Sequence, residues 1–217
     1  MGEGKLGNTK VNWDDQFIIV DKNGANFQSY YEGVDGHPFF IEVFKSSTIK
    51  LVSGEVFTDV RSRLDLFKQT IQLNLAGDTS KSVLPGKITD IVFYDTIRSK
   101  PYSYKFQSGY PPIDDLDRNN FYQVLSDGKV ELLKSSVKKI NKLKNEMSGE
   151  LRSQFDIYEN YYLYVKYEMK RLKKDKEYLL NLFADKRNEL EQYIKEQKIN
   201  FKSIDSIREF VAYYNSL

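Results

Sequence analysis

The chain contains no cysteine and a single histidine. The first absence removes thiol nucleophiles, disulfides, iron–sulfur ligation and thiolate zinc sites together. The second leaves no multi-histidine metal site within one chain. No apolar run approaches the ~18 residues that a membrane-spanning helix needs. A dominant charge is missing too: 33 Lys and Arg face 31 Asp and Glu, a net +2 that is too near balance to argue for a nucleic-acid partner. Lys and Arg are nevertheless in excess between Lys134 and Lys202. Catalytic signatures are likewise lacking. No serine sits in a Gly-x-Ser-x-Gly elbow, and Gly86-Lys87 is followed by Ile88, with no glycine five positions before Gly86, so it is not a nucleotide-binding loop. The lone imidazole, in Gly36-His37-Pro38, reads as a loop residue.

What is present describes a folded domain. Hydrophobic residues make up 40% and charged residues 29% of 217 positions, too apolar for a disordered chain and long enough for a sizeable core. Residues 1–15 are polar and read as a leader without order. They lack the apolar segment of a secretion signal.

Residues 16–173 read as a β region with one basic excursion, and from Phe17 to about Leu133 the dominant period is two, the mark of half-buried strands. Val56, Thr58, Val60, Ser62, Leu64 and Leu66 share one parity, opposite Phe57, Asp59, Arg61, Arg63 and Asp65. The apolar parity then switches to Ile71, Leu73 and Leu75, which predicts a hairpin turning near Lys68-Gln69-Thr70 and closing at Ala76-Gly77-Asp78. Further strands are expected at Phe17–Val20 before a turn at Asp21–Gly24, at Phe39–Phe44, Ile49–Val52 and Ile91–Tyr94. A second hairpin over Phe121–Leu133 turns at Asp127-Gly128, a dipeptide that tolerates positive φ. Lys134 to Glu159, with Lys138, Lys139, Lys142 and Lys144 among few large apolar residues, reads as a solvated basic excursion, a loop or short exposed helix. Period two returns in one last strand, where Tyr161, Leu163, Val165, Tyr167 and Met169 face away from Tyr162, Tyr164, Lys166, Glu168 and Lys170.

Residues 174–217 change period. Tyr178, Leu179, Leu182 and Phe183 make one helical face; Leu190, Tyr193 and Ile194 continue it from a cap at Asp185. Ile207, Phe210, Val211 and Tyr214 follow at i, i+3, i+4, i+7, capped by Ser203 or Asp205. The predicted fold is therefore α+β: one composite domain in which a curved antiparallel sheet, a roll or partial barrel, is followed by two or three C-terminal helices packed against it.

Four stretches carry a resemblance. They are Val56-Phe-Thr-Asp-Val-Arg-Ser-Arg-Leu-Asp-Leu-Phe67, Phe121-Tyr-Gln-Val-Leu-Ser-Asp-Gly-Lys-Val-Glu-Leu-Leu-Lys134, the segment Tyr161–Lys174, and the tail from Lys176 through Leu190-Glu-Gln-Tyr-Ile-Lys-Glu-Gln-Lys-Ile-Asn200 to Tyr213-Tyr-Asn-Ser-Leu217. In their order and in that closing pentapeptide the chain is similar to a family of Bacteroidetes envelope proteins whose members typically carry a secretion signal and have no assigned activity. The resemblance implies a periplasmic or cell-surface protein and names no reaction or cofactor.

Two candidate sites stand out among the residues. Asp115, Asp117 and Asn119 match the first three calcium-loop ligands in spacing, but Asn120 stands where the loop needs glycine and Ser126 where it needs a bidentate glutamate. A solvated, turn-forming acidic loop is the preferred reading, and no metal is expected. Tyrosine and phenylalanine number 16 and 14, and Tyr30, Tyr31, Tyr162 and Tyr164 offer an aromatic surface for glycan, envelope protein or lipid; half-exposed strands also favour tyrosine. The resemblance, together with the missing catalytic sets, implies a non-enzymatic cell-envelope binding or structural module. The alternatives are a small-ligand carrier or carboxylate-based enzyme with its site inside the curved sheet, and an intracellular adaptor that docks a partner through the last helix. A deep pocket with two or more carboxylates would favour the enzyme, and a filled interior beside exposed tyrosines the module.

Overall fold

The computed structural model describes residues 3–6, 9–12, 31, 33–75, 79–83, 85–144 and 151–217. Within the polar leader, β1 (Glu3–Leu6) and β2 (Thr9–Asn12) pair antiparallel. The strand expected at Phe17–Val20, its turn at Asp21–Gly24 and the turn Ala76-Gly77-Asp78 lie outside the described residues.

The fold is α+β. Eleven strands make one large sheet: β3 (Val34–Asp35), β4 (Lys45–Leu51), β5 (Val56–Asp65), β6 (Thr70–Leu75), β7 (Thr79–Val83), β8 (Ile88–Ile97), β9 (Lys100–Gln107), β10 (Tyr122–Ser126), β11 (Val130–Lys144), β12 (Leu151–Val165) and β13 (Glu168–Arg171). Their order is β13-β12-β11-β10-β9-β8-β4-β5-β6-β7, antiparallel throughout, with β3 adding a short parallel pairing to β12. The sheet does not close, but it bends back on itself. Five strand spacings separate β5 from β11, roughly 24 Å in a flat sheet. Yet the Lys138 N–H donates to the Leu66 carbonyl at 3.0 Å, and the Gln69 side chain, in the β5–β6 turn, reaches Ser136 and Phe121.

Three apolar clusters fill the layers. Ile49, Val60, Leu64, Ile71, Leu73, Ile91, Phe93 and Phe106 line the concave face of β4–β9 and are 0–2% exposed, so the roll's interior is packed solid. On the same face of the other half, Val130, Leu132, Leu163 and Val165 meet three helices: α1 (Lys176–Leu182), α2 (Arg187–Gln197) and α3 (Ile204–Ser216). The reverse face of that half, Tyr122, Leu133 and Tyr162, lies under Tyr110, Ile113 and Leu116 of the connection after β9. Helix starts follow capping rules: Asp175 accepts from the Tyr178 N–H and Ser203 from the Ser206 N–H. Asp185 does not cap α2. It lies in a single 3₁₀ turn, Ala184–Lys186, that runs straight into α2, and the position before α2 is Lys186.

Four expectations fail for identifiable reasons. The basic excursion is neither loop nor helix: β11 and β12 pair residue for residue over 15 positions, from Val130 with Val165 to Lys144 with Leu151. Lys138, expected in solvent, donates through Nζ to the carbonyls of His37 and Phe39 at 2.6 and 3.1 Å. The strand expected at Phe39–Phe44 is reduced to one bridge between Phe39 and Asp65, because the Arg63 guanidinium packs over the Phe39 and Phe44 rings, 3.5 and 4.3 Å from their centroids. The last strand is two: Lys166 and Tyr167, both at positive φ, turn the chain between β12 and β13. In β5, a bulge opposite Ser47–Ile49 with Asp59 at φ 57° reverses the parity, so Phe57 points inward and Val56 is exposed.

Candidate functional site: an aromatic groove at the seam of the sheet

The residues singled out in sequence do not form one site. Asp117 is occupied by its own turn: one carboxylate oxygen accepts from the Asn119 N–H at 2.8 Å and the other from the Asn119 side-chain amide at 3.3 Å. Asp115 is exposed nearby. No group of three or more His, Asp or Glu placed to hold a metal ion occurs among the described residues.

The proposed aromatic surface is also dispersed. Tyr30 lies outside the described residues. Tyr31 packs edge-on against Phe67 and Phe155, and its hydroxyl donates to Asp65. Tyr162 is not a surface residue: it is 1% exposed, stacked edge-on with Tyr122, and donates to Asp114. Tyr164 is half-buried against Tyr110. The cause is the connection after β9, which covers the β12 face that sequence parity leaves open. The Tyr122 hydroxyl, buried there without a hydrogen-bond partner, has its pKa pushed up to about 12 by burial.

Perturbed carboxylates are present but apart. Burial raises Asp65 above the ordinary carboxylate value, against the opposing pull of N–H bonds from Lys68 and Phe67. Burial likewise raises Glu131, which accepts from the Tyr110 hydroxyl on the face of the sheet away from the helices. These two groups lie apart, and neither is among the residues that line the groove at the seam of the sheet.

Among the described residues, an open feature lies where the concave face passes from the packed roll to the helix layer. The β9–β10 ladder is only two residues long, Tyr122 with Gln107 and Gln123 with Phe106. Beyond it the strands part, and a groove of about 440 Å³ opens on that face. Its floor is Gln123, Lys134 and Tyr161. One wall is Tyr102 and Tyr104 with Phe40, and the other is the first turn of α3 with Asp205 and Arg208. The Phe40 ring braces Tyr104 edge-on at 5.0 Å, and Tyr102 lies 4.8 Å from Tyr104. Tyr102 remains 44% exposed.

The groove's charges are matched internally. Lys134 pairs with Glu159 at 2.6 Å and Arg208 with Asp205 at 3.8 Å. Its uncharged polar tips are not. The hydroxyls of Tyr102, Tyr104 and Tyr161 and the Gln123 amide have no hydrogen-bond partner among the described residues. Burial raises the Tyr104 hydroxyl above its ordinary value, so it is protonated at neutral pH.

None of these residues was singled out in sequence. The signal was the alternation Tyr102, Tyr104, Phe106 against Ser103, Lys105, Gln107, a strand whose aromatics stand two residues apart on one face. No family model, no curated protein and no solved structure matches this chain.

Proposed function

We propose that this protein is a non-enzymatic binding module of the cell envelope whose ligand lies in the groove between β9, β10 and α3. The observation that carries the reading is the contrast between a solid roll interior and an open groove walled by tyrosines. An enzyme or carrier of the alternative kind needs a cavity inside the sheet, and that space is filled by side chains 0–2% exposed. The carboxylates with raised pKa values are spent on backbone N–H groups and on Tyr110, away from the groove. The adaptor alternative needs the apolar stripe of the last helix at the surface, whereas Ile207, Phe210 and Val211 are 0% exposed beneath it. The envelope location rests on the resemblance of the four quoted stretches. No helix among the described residues is long and apolar enough to cross a membrane.

Co-sedimentation with an envelope fraction from a Bacteroidetes cell tests the proposal. The protein is expected to sediment with that fraction and a Tyr102→Ala, Tyr104→Ala variant to remain in the supernatant, with the fraction chemically unchanged. Turnover of a fraction component that is lost in Asp65→Asn or Glu131→Gln would replace this reading with the carboxylate enzyme.

A further inference from the structure

Resting on the reading of the groove as the binding site, the geometry points to a ligand class: we propose that the groove binds a neutral saccharide chain. Aromatic rings carry an apolar face and, in tyrosine, a polar tip. A sugar ring is the ligand with both complements, C–H faces to lie against a ring and hydroxyls to meet the tips. Tyr102, Tyr104 and Tyr161 supply three such groups around one groove, and Gln123 adds a donor and an acceptor from the floor. All four polar tips lack protein partners among the described residues, and a hydroxyl-rich chain satisfies donor and acceptor needs together.

Charge separates this class from its rivals. A phosphate, sulfate or uronate ligand calls for unpaired cations, but Lys134 is matched by Glu159 and Arg208 by Asp205. An acyl chain calls for an enclosed apolar slot, whereas this groove is open along its length and floored by Gln123 and Lys134. The wall is also rigid: Phe40 fixes Tyr104 while itself lying 4.9 Å edge-on from the buried Phe106, so the ring presented to a ligand is set by the core behind it. Preorganised aromatics lose little entropy on binding. A groove of about 440 Å³ that is open to solvent has room for a short stretch of such a chain.

Isothermal titration of the whole protein with neutral oligosaccharides (glucan, mannan, xylan and chitin tetramers to hexamers) tests this. At least one is expected to bind, with affinity unchanged between about 50 and 500 mM salt because no net charge is neutralised. Tyr102→Ala and Gln123→Ala should each weaken it by about tenfold, the loss of one ring contact or one hydrogen-bonded amide. Tyr158→Ala on the far part of β12 should leave it unchanged, with circular dichroism confirming the fold of each variant. Parallel titrations use polygalacturonate, an extended tetrapeptide library and phosphatidylethanolamine vesicles. Binding of one of these in place of the neutral sugars, lost in Tyr102→Ala, overturns the saccharide inference and leaves the groove as the binding site. Binding that is indifferent to Tyr102 and Gln123, or none at all, overturns both.

Discussion

At the residue scale, the closing pentapeptide shows what a surface tail is for. Tyr213 stacks on Tyr193 at 3.9 Å, and Tyr214 stacks on Phe183 at 4.2 Å with its hydroxyl on Asp185. Asn215 does the most. Its side chain accepts from the Val130 N–H at 2.9 Å and donates to the carbonyls of Val130 and Asp127, tying the last helix to the β10–β11 turn. Gly128 in that turn has φ 143°, and a Cβ there would stand 2.6 Å from the Asn215 side chain. Asn215→Ala should cost about 1–3 kcal/mol in urea unfolding, since a backbone N–H loses its acceptor. Gly128→Ala should cost less in the Asn215→Ala background than in the native one, because the two nearest side-chain atoms have gone and only the 3.0 Å approach to the Cβ at 215 and the backbone strain remain. Equal costs in the two backgrounds would refute the contact. Asp65, 0% exposed, makes a separate pH prediction. Its folded pKa is raised, by burial first. The folded state therefore holds the proton more tightly than the unfolded one, and the stability this supplies, full below the unfolded carboxylate value, is lost as pH rises through the folded value. Thermal unfolding of Asp65→Asn should gain on the wild type between acidic and neutral pH; a gap that moves the other way would refute the burial origin of the shift.

At the element scale, α3 is held by its apolar stripe more than by its ends. Ile207, Phe210 and Val211 are each 0% exposed against Leu132, Leu163 and the facing helices. Phe210→Ala should cost about 3–5 kcal/mol as transfer and cavity terms add. Truncation after Gln197 should lower the melting temperature sharply, since each of the three side chains withdraws roughly 1.5–3 kcal/mol of burial; an unchanged melting curve would refute the packing. This stripe was legible in sequence because helical periodicity reports directly on one buried face. The β5–β6 hairpin was legible through its parity switch, and the β10–β11 turn through Asp127-Gly128. The β11–β12 pair was not. Val137, Ile140 and Leu143 fall three residues apart as on a helix, and the lysines between them find partners that local sequence does not record: Lys139 lies over the Tyr158 ring across the ladder at 5.5 Å, and Lys138 reaches the His37 and Phe39 carbonyls. The β12–β13 and β8–β9 turns were hidden by composition, since Lys166-Tyr167 and Arg98-Ser99 adopt the left-handed conformation that Asn-Gly advertises. The groove was illegible for a different reason. Its residues come from four strands, one helix and the segment before β4, and no local pattern records that the β9–β10 ladder stops after two residues.

At the scale of the whole molecule, that short ladder divides the structure into a rolled half, β4–β9, and a helix-covered half, β10–β13 with α1–α3. Each half has its own apolar cluster, so the question is what makes them fold together. Beside the edge-on contact of Phe67 with Phe155 at 5.8 Å, polar links cross between them. Gln69, 8% exposed in the β5–β6 turn, accepts from the Phe121 N–H at 3.0 Å and donates to the Ser136 and Leu66 carbonyls at 3.2 and 2.9 Å. Lys138 adds its backbone bond to Leu66 and its ammonium on the carbonyls of His37 and Phe39, while Lys105 reaches Asp127 across the parted strands at 2.6 Å. The Lys105–Asp127 pair is exposed and contributes little. Gln69 is different, because its removal leaves the buried Phe121 N–H without its acceptor, at about 1–3 kcal/mol, and takes a donor from the Ser136 carbonyl and from the Leu66 carbonyl, which keeps the Lys138 N–H. Wild-type unfolding should be one cooperative transition, with hydrogen-exchange protection of β6 and of α3 lost at the same urea concentration. In Gln69→Ala the two protections should separate, the helix-covered half and the roll each opening at its own midpoint. If both still vanish together at a lower common midpoint, the continuous sheet alone couples the halves and Gln69 only adds stability to the whole.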